Sequence, residues 1–438
     1  MTSTMEEVLR FVEENDVKFI RLSFCDLFGI QKNISIMPSE LPRAFAHGIG
    51  FDASAVPGFG GGAQSDLLLI PDPGTLSILP WRPAQGRVIR FFCDIQNPDG
   101  TPYALDGRQI LRRAVQKCAG MGYVCRVGAE CEFYLFLTDE AGNPTDTPMD
   151  RGGYCDIAPA DKGENVRREI CLTLEQMGIQ PESSHHEQGP GQNEIDFKYA
   201  DALSAADSLI HFKSAVKVIA ERNGLYASFL PKPLPDSSGS GLHVNLSLAK
   251  DGRNIFHVDT REHSQQAESF IAGVLDRAAE CTAFFNPLDN SYSRLGRMQA
   301  PRFVTWSHQN RSQLIRIPAA PPQRGRMELR SPDPACNPYL AYALIMQAGL
   351  EGIARNLPLP APNNSDLSRP DERAAGLDRL PGSLPEAVDL ARRSVFIRSC
   401  LPQELIDRYL DRKAAQAQRT ARAEDPERDA RDRYFDQI

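Results

Sequence analysis

Two glutamates, Glu130 and Glu132, interrupt a run of apolar and β-favouring residues, Cys125-Arg-Val-Gly-Ala-Glu-Cys-Glu-Phe-Tyr-Leu-Phe136. Side chains two apart on an extended chain point to the same side, so both acids share one face while Cys131 and Phe133 occupy the other. Carboxylates held that close oppose each other's ionisation unless water or a cation stands between them. The stretch therefore demands a sheet with one apolar and one acidic face. The acidic face is turned either to solvent, as antiparallel sheets often are, or to a bound cation.

Three other segments bear on that choice. His185-His-Glu187-Gln-Gly-Pro-Gly-Gln-Asn-Glu194 sets two more acids on either side of a Gly-Pro-Gly turn, with Glu182 just ahead, and such a turn lets both converge on one point. In Arg326-Met-Glu328-Leu-Arg330, strand alternation puts Glu328 and Arg330 on one side. Ser238-Gly-Ser-Gly-Leu-His243-Val-Asn245 is a glycine turn running into a strand. A lone histidine is ordinarily structural, and His243 gains meaning only from the acids around it. Glu130, Glu132, Glu187, Glu194, Glu328 and His243 form an oxygen-dominated donor set that suits Mg²⁺ or Mn²⁺ better than zinc. Arg311 and Arg316, in Asn310-Arg-Ser-Gln-Leu-Ile-Arg-Ile-Pro318, join Arg324, Arg326 and Arg330 in offering planar forks for phosphate or carboxylate. Divalent ions and guanidinium groups together are what phosphoryl transfer requires. Surface ion pairing is the plainer reading of Arg311 and Arg316; the proline-bounded apolar strand beside them weighs against it.

Composition bounds the rest. A chain of 438 residues, 41% apolar and 24% charged, is long enough for two or three domains with substantial cores. A net charge of -8, without basic runs interleaved with aromatics, lacks the electrostatic footprint of a nucleic-acid binder. No apolar run approaches the roughly 20 residues of a membrane span, and an amino terminus carrying Glu6, Glu7, Glu13 and Glu14 is no signal peptide. Ten cysteines without a closely spaced pair point to a reduced, cytoplasmic protein.

Thr4-Met-Glu-Glu7 has the form of a capping box ahead of Val8, Leu9, Phe11 and Val12 at helical spacing. Val17 to Phe28 and Asn33 to Ile36 predict a hairpin, and Arg87 to Ile95 a strand closed by the turn Asn97-Pro-Asp-Gly100. Residues 1–103 thus read as a small α+β domain. Its glycine-rich stretch from Val56 to Gly62, beside Asp52 and Ser54, is either a flexible link or a site loop. Over residues 104–438 the signals alternate. Helices are expected over Leu105–Gly120, Asn165–Met177, Ser204–Asn223 and Asp259–Phe285, and extended chain over Tyr123–Leu137 and Ser228–Leu248. Pro358–Arg369 reads as a surface loop, and the charged helical stretch from Ile406 to Arg433 as a solvated face or subunit contact.

In their order along nearly the whole chain, these segments resemble the glutamine synthetase family. The matching stretches are Gly128-Ala-Glu-Cys-Glu132, His186-Glu187 with Gly191-Gln-Asn-Glu194, Gly239-Ser-Gly-Leu-His243, and Asn310-Arg-Ser with Arg316-Ile-Pro. Glu328-Leu-Arg-Ser-Pro-Asp-Pro-Ala-Cys-Asn-Pro-Tyr-Leu340, Phe51-Asp-Ala-Ser54 and Ser65-Asp66 before Ile70-Pro-Asp72 complete them. The resemblance implies a small N-terminal β-grasp domain followed by a larger catalytic domain of curved antiparallel sheet plus helices. It also implies a homo-oligomeric ring, a dodecamer, with active sites between neighbouring subunits. The implied reaction is ATP-dependent joining of ammonia to the γ-carboxylate of glutamate through γ-glutamyl phosphate. Position by position, the resemblance makes Glu132, Glu187 and Glu194 ligands of one metal and Glu130, His243 and Glu328 ligands of another. Glu182, Asn245, Ser247, Arg316 and Arg326 fall at ATP, and Gly239, Arg294, Arg311 and Arg330 at glutamate, with Arg311 and Arg330 also beside the transferring phosphoryl group. Asp52 falls at the amine pocket, reaching it from the adjacent subunit as a catalytic proton acceptor.

Three positions depart from the family's pattern. The segment Arg294-Leu-Gly-Arg-Met-Gln299-Ala-Pro301 is one residue shorter and carries Gln299 where the family presents a glutamate. Ser238 stands for an asparagine and Ala55 for a serine. A neutral amide neither takes a proton from ammonium nor attracts it. The departures cluster around the amine and the glutamate, while the metal and phosphate machinery is intact. Glutamine formation is the leading expectation. The alternatives are a γ-glutamylamide ligase using an alkylamine or polyamine, and a non-catalytic member serving as a structural or regulatory assembly, against which the complete set of six metal-ligand positions counts. The family's regulatory adenylylation tyrosine has no counterpart in Pro362-Asn-Asn-Ser-Asp-Leu-Ser-Arg-Pro370. Intact-mass measurement on protein from its native host is expected to reveal no species heavier by one AMP; finding one would refute this reading.

Overall fold

Thr4 caps the first helix, α1 (Met5–Glu14), through a complete capping box: its hydroxyl accepts from the Glu7 N–H at 3.2 Å, and the Glu7 carboxylate accepts from the Thr4 N–H at 2.7 Å. The computed structural model describes residues 4–61, 65–256, 263–321, 324–369 and 374–438. Gly62 of the glycine-rich stretch, Pro370 and the start of the helix expected from Asp259 lie outside the described residues. The strands β1 (Val17–Cys25), β2 (Gln31–Ile36), β3 (Ile49–Asp52), β4 (Asp66–Pro71), β5 (Ser77–Ile78) and β6 (Arg87–Gln96) form one sheet of order β2-β1-β6-β4-β3, with β5 beside β6. β1 and β2 are the expected hairpin, β1 runs parallel to β6, and the remaining pairs are antiparallel. With α2 (Leu41–His47) against β4, this is the β-grasp unit.

The second unit begins at α3 (Gly107–Gly120), capped by Asp106. Arg108, in its first turn, joins the two units. It is buried and bonds Asp94 on β6 at 2.6 Å, Asp72 beyond β4 at 2.8 Å and Asp207 at 3.0 Å. Asp207 lies on α5 (Ala202–Arg222), which follows α4 (Glu164–Gln176). A guanidinium presents five donors in a fixed fork, so one side chain satisfies three acids drawn from both sheets' surroundings.

The larger sheet is built on β7 (Tyr123–Thr138), flanked in sequence by β8 (Pro144–Pro148), β9 (Pro181–His186), β10 (Gln192–Phe197), β11 (Ala200–Asp201), β12 (Leu225–Ser228), β13 (Leu242–Lys250) and β14 (Arg253–Asn254). β15 (Trp306–His308), β16 (Ile315–Ile317) and β17 (Met327–Leu329) complete the order β15-β16-β17-β13-β7-β10-β9. Every pair is antiparallel except β15 with β16. The extended chain expected over Ser228–Leu248 is two strands, because prolines at 231, 233 and 235 remove ladder donors between them.

Behind β7 pack α3 and α5, then α6 (Gln265–Phe285), α7 (Asp289–Arg294) and α8 (Pro338–Arg355). The charged carboxy-terminal stretch is not one solvated helix. After α9 (Leu384–Arg393) and α10 (Val395–Cys400) it forms α11 (Gln403–Thr420) and α12 (Pro426–Phe435), separated where Pro426 opens a helix it could not have continued. α11 buries Leu405, Ile406, Tyr409 and Leu410, so one of its faces belongs to the core. α6 and α8 approach backbone to backbone. A Cβ on Gly352 would fall 2.1 Å from the Ser269 carbonyl oxygen, and one on Gly273 would fall 2.2 Å from that of Ala348. Gly352→Ala is expected to destabilise by about 1–3 kcal/mol through overpacking. Equilibrium denaturation checks it as a lower midpoint at unchanged slope.

Candidate active site

Alternation along β7 turns Cys125, Val127, Ala129, Cys131 and Phe133 into the core and leaves Glu130 and Glu132 on the opposite face. Neighbouring strands extend that face. Glu132 lies opposite Glu194; Glu130 lies opposite Asp196 on one side and His243 on the other; Asn245 lies opposite Glu328, itself opposite Arg316. Burial decides between a solvent-facing and an ion-facing role: Glu132, Glu194, His243 and Glu328 are 8%, 7%, 6% and 0% exposed. Acids so placed are not solvated and need compensation.

Ligand-capable atoms of Glu130, His243 and Glu328 lie within 4.8 Å of one another, as do those of Glu132, Glu194 and His243, and those of His185, Glu187 and Glu194. The first group is the donor set expected for one ion. The second expected set, Glu132 with Glu187 and Glu194, gathers less directly: Glu187 meets Glu194 beside His185, and His243 joins Glu132. Burial, aided by the Glu187 carboxylate, pushes the Glu132 carboxyl up to about 7. Burial and the Glu132 carboxylate raise Glu194 well above the carboxylate range. Burial, with the Arg330 charge nearby, lowers His243 well below the usual imidazole value. Carboxylates that resist joint ionisation, around an imidazole held neutral, fit a hard divalent ion that restores the charge balance.

The site's supports are hydrogen bonds from adjoining strands. Glu328 accepts from Arg316 at 2.5 Å and from Arg330. Asn245 donates to Glu130 at 2.8 Å and accepts from Arg326 at 2.8 Å; Ser247 follows it along the same strand face. Glu182 is exposed on β9, facing Arg324 at 3.8 Å. A cavity of about 340 Å³ opens over Glu132, Glu187 and Glu194, walled by Gly239, Arg294, Arg311, Arg330 and Gln299. Gln299 therefore reaches the site. A Cβ on Gly239 would fall 2.5 Å from the Pro231 carbonyl oxygen, so the wall there stays open only for glycine. Arg294 lines the cavity and, 3% exposed, also donates to the carbonyls of Ser331 at 2.8 Å and Arg330 at 3.1 Å, which holds the Arg330 segment. Asp52 lies outside this cavity. It is exposed at the end of β3 and accepts from the Ser54 hydroxyl at 2.6 Å and N–H at 2.8 Å, bonds that lower its pKa.

Sequence reasoning passed over several participants. Gln192 donates to Glu132 at 2.9 Å, and Asp196 stands opposite Glu130; each is two residues from an acid or glycine of the quoted turn, and alternation along β10 would have found both. His186 is fully buried. Its Nε2 bonds Asp150 at 2.9 Å and its Nδ1 donates to the Glu187 carbonyl at 2.6 Å, while Asp150 also accepts from the Gly191 N–H at 2.9 Å. That pair anchors both ends of the turn bearing Glu187 and Glu194, and nothing local in the sequence marks Asp150 as its partner.

Residues 104–431 match the model of the glutamine synthetase catalytic domain and residues 16–98 that of the glutamine synthetase β-grasp domain. A glutamine synthetase of Clostridium saccharobutylicum is 46% identical, covering 94% of this chain and 95% of its own. One of Methanosarcina mazei is 47% identical over 93% of each chain, and one of Staphylococcus aureus 43% over 94% of each. A solved structure described as "GmaS/ADP complex-Conformation 1" superimposes with a TM-score of 0.87 at 31% identity, covering 98% of this chain and 99% of that one; "Apo GmaS without ligand" gives 0.86. With the carboxylate face, the arginine-walled cavity and these likenesses together, the chain belongs to the glutamine synthetase family.

Proposed function

We propose that this protein joins ammonia to the γ-carboxylate of glutamate at the expense of ATP, releasing glutamine, ADP and phosphate. The buried Glu132, Glu194, His243 and Glu328, with half-buried Glu130 beside them and an arginine-walled cavity over Glu132, Glu194 and His243, carry the reading. Relatives named glutamine synthetase, and a structural neighbour described as an ADP complex, support it. Glu130, His243 and Glu328 would hold one divalent ion, Mg²⁺ or Mn²⁺, and Glu132, Glu187 and Glu194 another; such ions neutralise charge on a transferring phosphoryl group.

The chain's own groups then divide the work. Asn245, Ser247, Arg326 and Glu182 orient ATP along the sheet face, with Arg316 beside them. Arg311 and Arg330 receive carboxylate and phosphoryl oxygens, and Arg330 is held in place by Glu328. The γ-carboxylate attacks the γ-phosphorus, the bond to ADP breaks, and γ-glutamyl phosphate forms. Ammonium gives a proton to Asp52, and ammonia then displaces phosphate. Because Asp52 lies outside the cavity of its own chain, it would serve a neighbour's site, which fits a homo-oligomer, a dodecamer, with sites between subunits and 1–103 and 104–438 as the domains that meet there. No described helix is long and apolar enough to cross a membrane, and a cytoplasmic setting suits the substrates.

A second reading, a γ-glutamylamide ligase using an alkylamine, rests on Gln299 alone, which stands uncharged on the cavity wall beside the charged Arg297.

Glu328→Gln is expected to cut glutamate-dependent phosphate release by about 10²–10³-fold, the range seen when one preorganised charge partner is lost, with the circular-dichroism spectrum unchanged; full turnover would discard the site. In an amine screen with glutamate, ATP and Mg²⁺ or Mn²⁺, ammonia is expected to support phosphate release and Gln299→Glu to favour ammonia further over methylamine. A wild-type response to methylamine or ethylamine but not ammonia would replace the first reading with the second.

A further inference from the structure

The edge strand of the larger sheet and the start of α6 bring two histidines together, away from the carboxylate face. Along β15, Trp306 and His308 share one face and Ser307 turns to the other. Ser307 is in register with Arg316, whose guanidinium bonds Glu328, so Trp306 and His308 point away from the acidic row. On their side lies His263, immediately before Ser264, which caps α6 by accepting from the Ala267 N–H at 3.2 Å. Trp306 stands edge-on to both imidazoles, its ring centre 6.3 Å from that of His263 and 5.3 Å from that of His308.

The Nε2 atoms of His263 and His308 are 3.2 Å apart. The rings lie within 4° of parallel with their centres 5.3 Å apart. The nitrogens are thus closer than the centres, and the rings meet edge to edge with both nitrogens turned inward. Two imidazole nitrogens bound to one tetrahedral ion at about 2.0–2.1 Å stand about 3.3 Å from each other, and neighbouring ligands at a right angle about 2.9 Å. The observed separation falls between the two. Burial lowers both pKa values, with His308 adding to the effect on His263 and no acid opposing it. Both rings are therefore neutral at pH 7, each with one lone pair to give. The pair alone can share one Nε2–H···Nε2 bond, at the long end of the usual range. His263 Nδ1 is buried and has no partner among the described residues. Nothing on the far side of that ring fixes its proton, so the inward nitrogen is free to present its lone pair.

We infer that His263 and His308 form a two-histidine chelate for a late first-row divalent ion, Zn²⁺, Ni²⁺ or Cu²⁺, through their Nε2 atoms, with water in the remaining positions. Imidazole nitrogen suits these ions, whereas Mg²⁺ takes oxygen, so the chelate is chemically separate from the carboxylate face. His263 opens a 21-residue core helix and His308 sits on the edge strand, so the ion ties the start of α6 to the rim of the sheet. The same strand holds the loop beyond α8, where the Asn363 N–H donates to the Trp306 carbonyl at 2.8 Å.

Binding is measured directly, with no need of activity. The chain has two tryptophans, so Trp81→Phe leaves Trp306, beside the pair, as the only indole. Its fluorescence is titrated with Ni²⁺, a paramagnetic quencher, with Mg²⁺ in excess to fill oxygen sites. Saturable quenching is expected, reversed by Zn²⁺, whose closed d shell does not quench. His263→Ala and His308→Ala are each expected to weaken it about tenfold or more, since losing even a supporting group costs roughly 10–100-fold in metal affinity. His308 is exposed and His263 half-buried, so both variants keep the fold, which circular dichroism checks. As a second measurement, metal analysis after equilibrium dialysis against Zn²⁺ is expected to find a single ion fewer per chain in His308→Ala than in its parent. Quenching that rises without saturation, that Zn²⁺ fails to reverse or that survives both substitutions would overturn the inference, as would equal ion counts.

Discussion

Acids cannot be crowded onto the buried face of a sheet without a compensating charge, and the larger unit is organised around that constraint. Glu328 is the extreme case: wholly inaccessible, it is gripped by Arg316 from β16 and Arg330 just beyond its own strand. A buried ion pair is poor evidence of stability, since desolvation offsets most of its attraction. Its value here is orientation. The same bonds that neutralise Glu328 aim Arg330 at the cavity wall and fix β17 against β13, the strand that carries His243 and Asn245.

The same logic recurs at the join between the units. Asp72, Asp94 and Asp207 would repel one another if left alone, yet all three lie within 3.0 Å of one arginine. Asp106, next to that arginine, has a carboxyl pushed up to about 7 by burial and by Asp94. The β-grasp unit is thus tied to the helices by a charge cluster as well as by apolar packing.

How far the sequence foretold this depends on the distance over which each signal acts. The capping box at Thr4, the hairpin of β1 and β2, and the shared face of Glu130 and Glu132 were legible because each is set by neighbours within a few residues. Which strands flank β7 was not: the pairing of Glu132 with Glu194 and of Asn245 with Glu328 spans dozens of residues and is fixed by packing, not by local pattern. Family resemblance brought His243 into the site where the residue alone could not. It was silent on the backbone carbonyls that Arg294 also holds and on Asp150, whose bond to His186 exists only in the folded chain. The carboxy-terminal stretch misled for a plainer reason, its charge density masking the apolar stripe of α11.

His243 stands between the two acid groups, its Nδ1 3.2 Å from Glu130 and 3.9 Å from Glu328 while its Nε2 is 3.9 Å from Glu132. A neutral imidazole has one lone pair to give, and the opposite nitrogen then carries the proton. The ring can serve as an electron-pair donor toward one group only, and in doing so it presents a hydrogen-bond donor to the other. The two halves of the acidic face are therefore chemically unequal by construction, and the choice of tautomer decides which half is which.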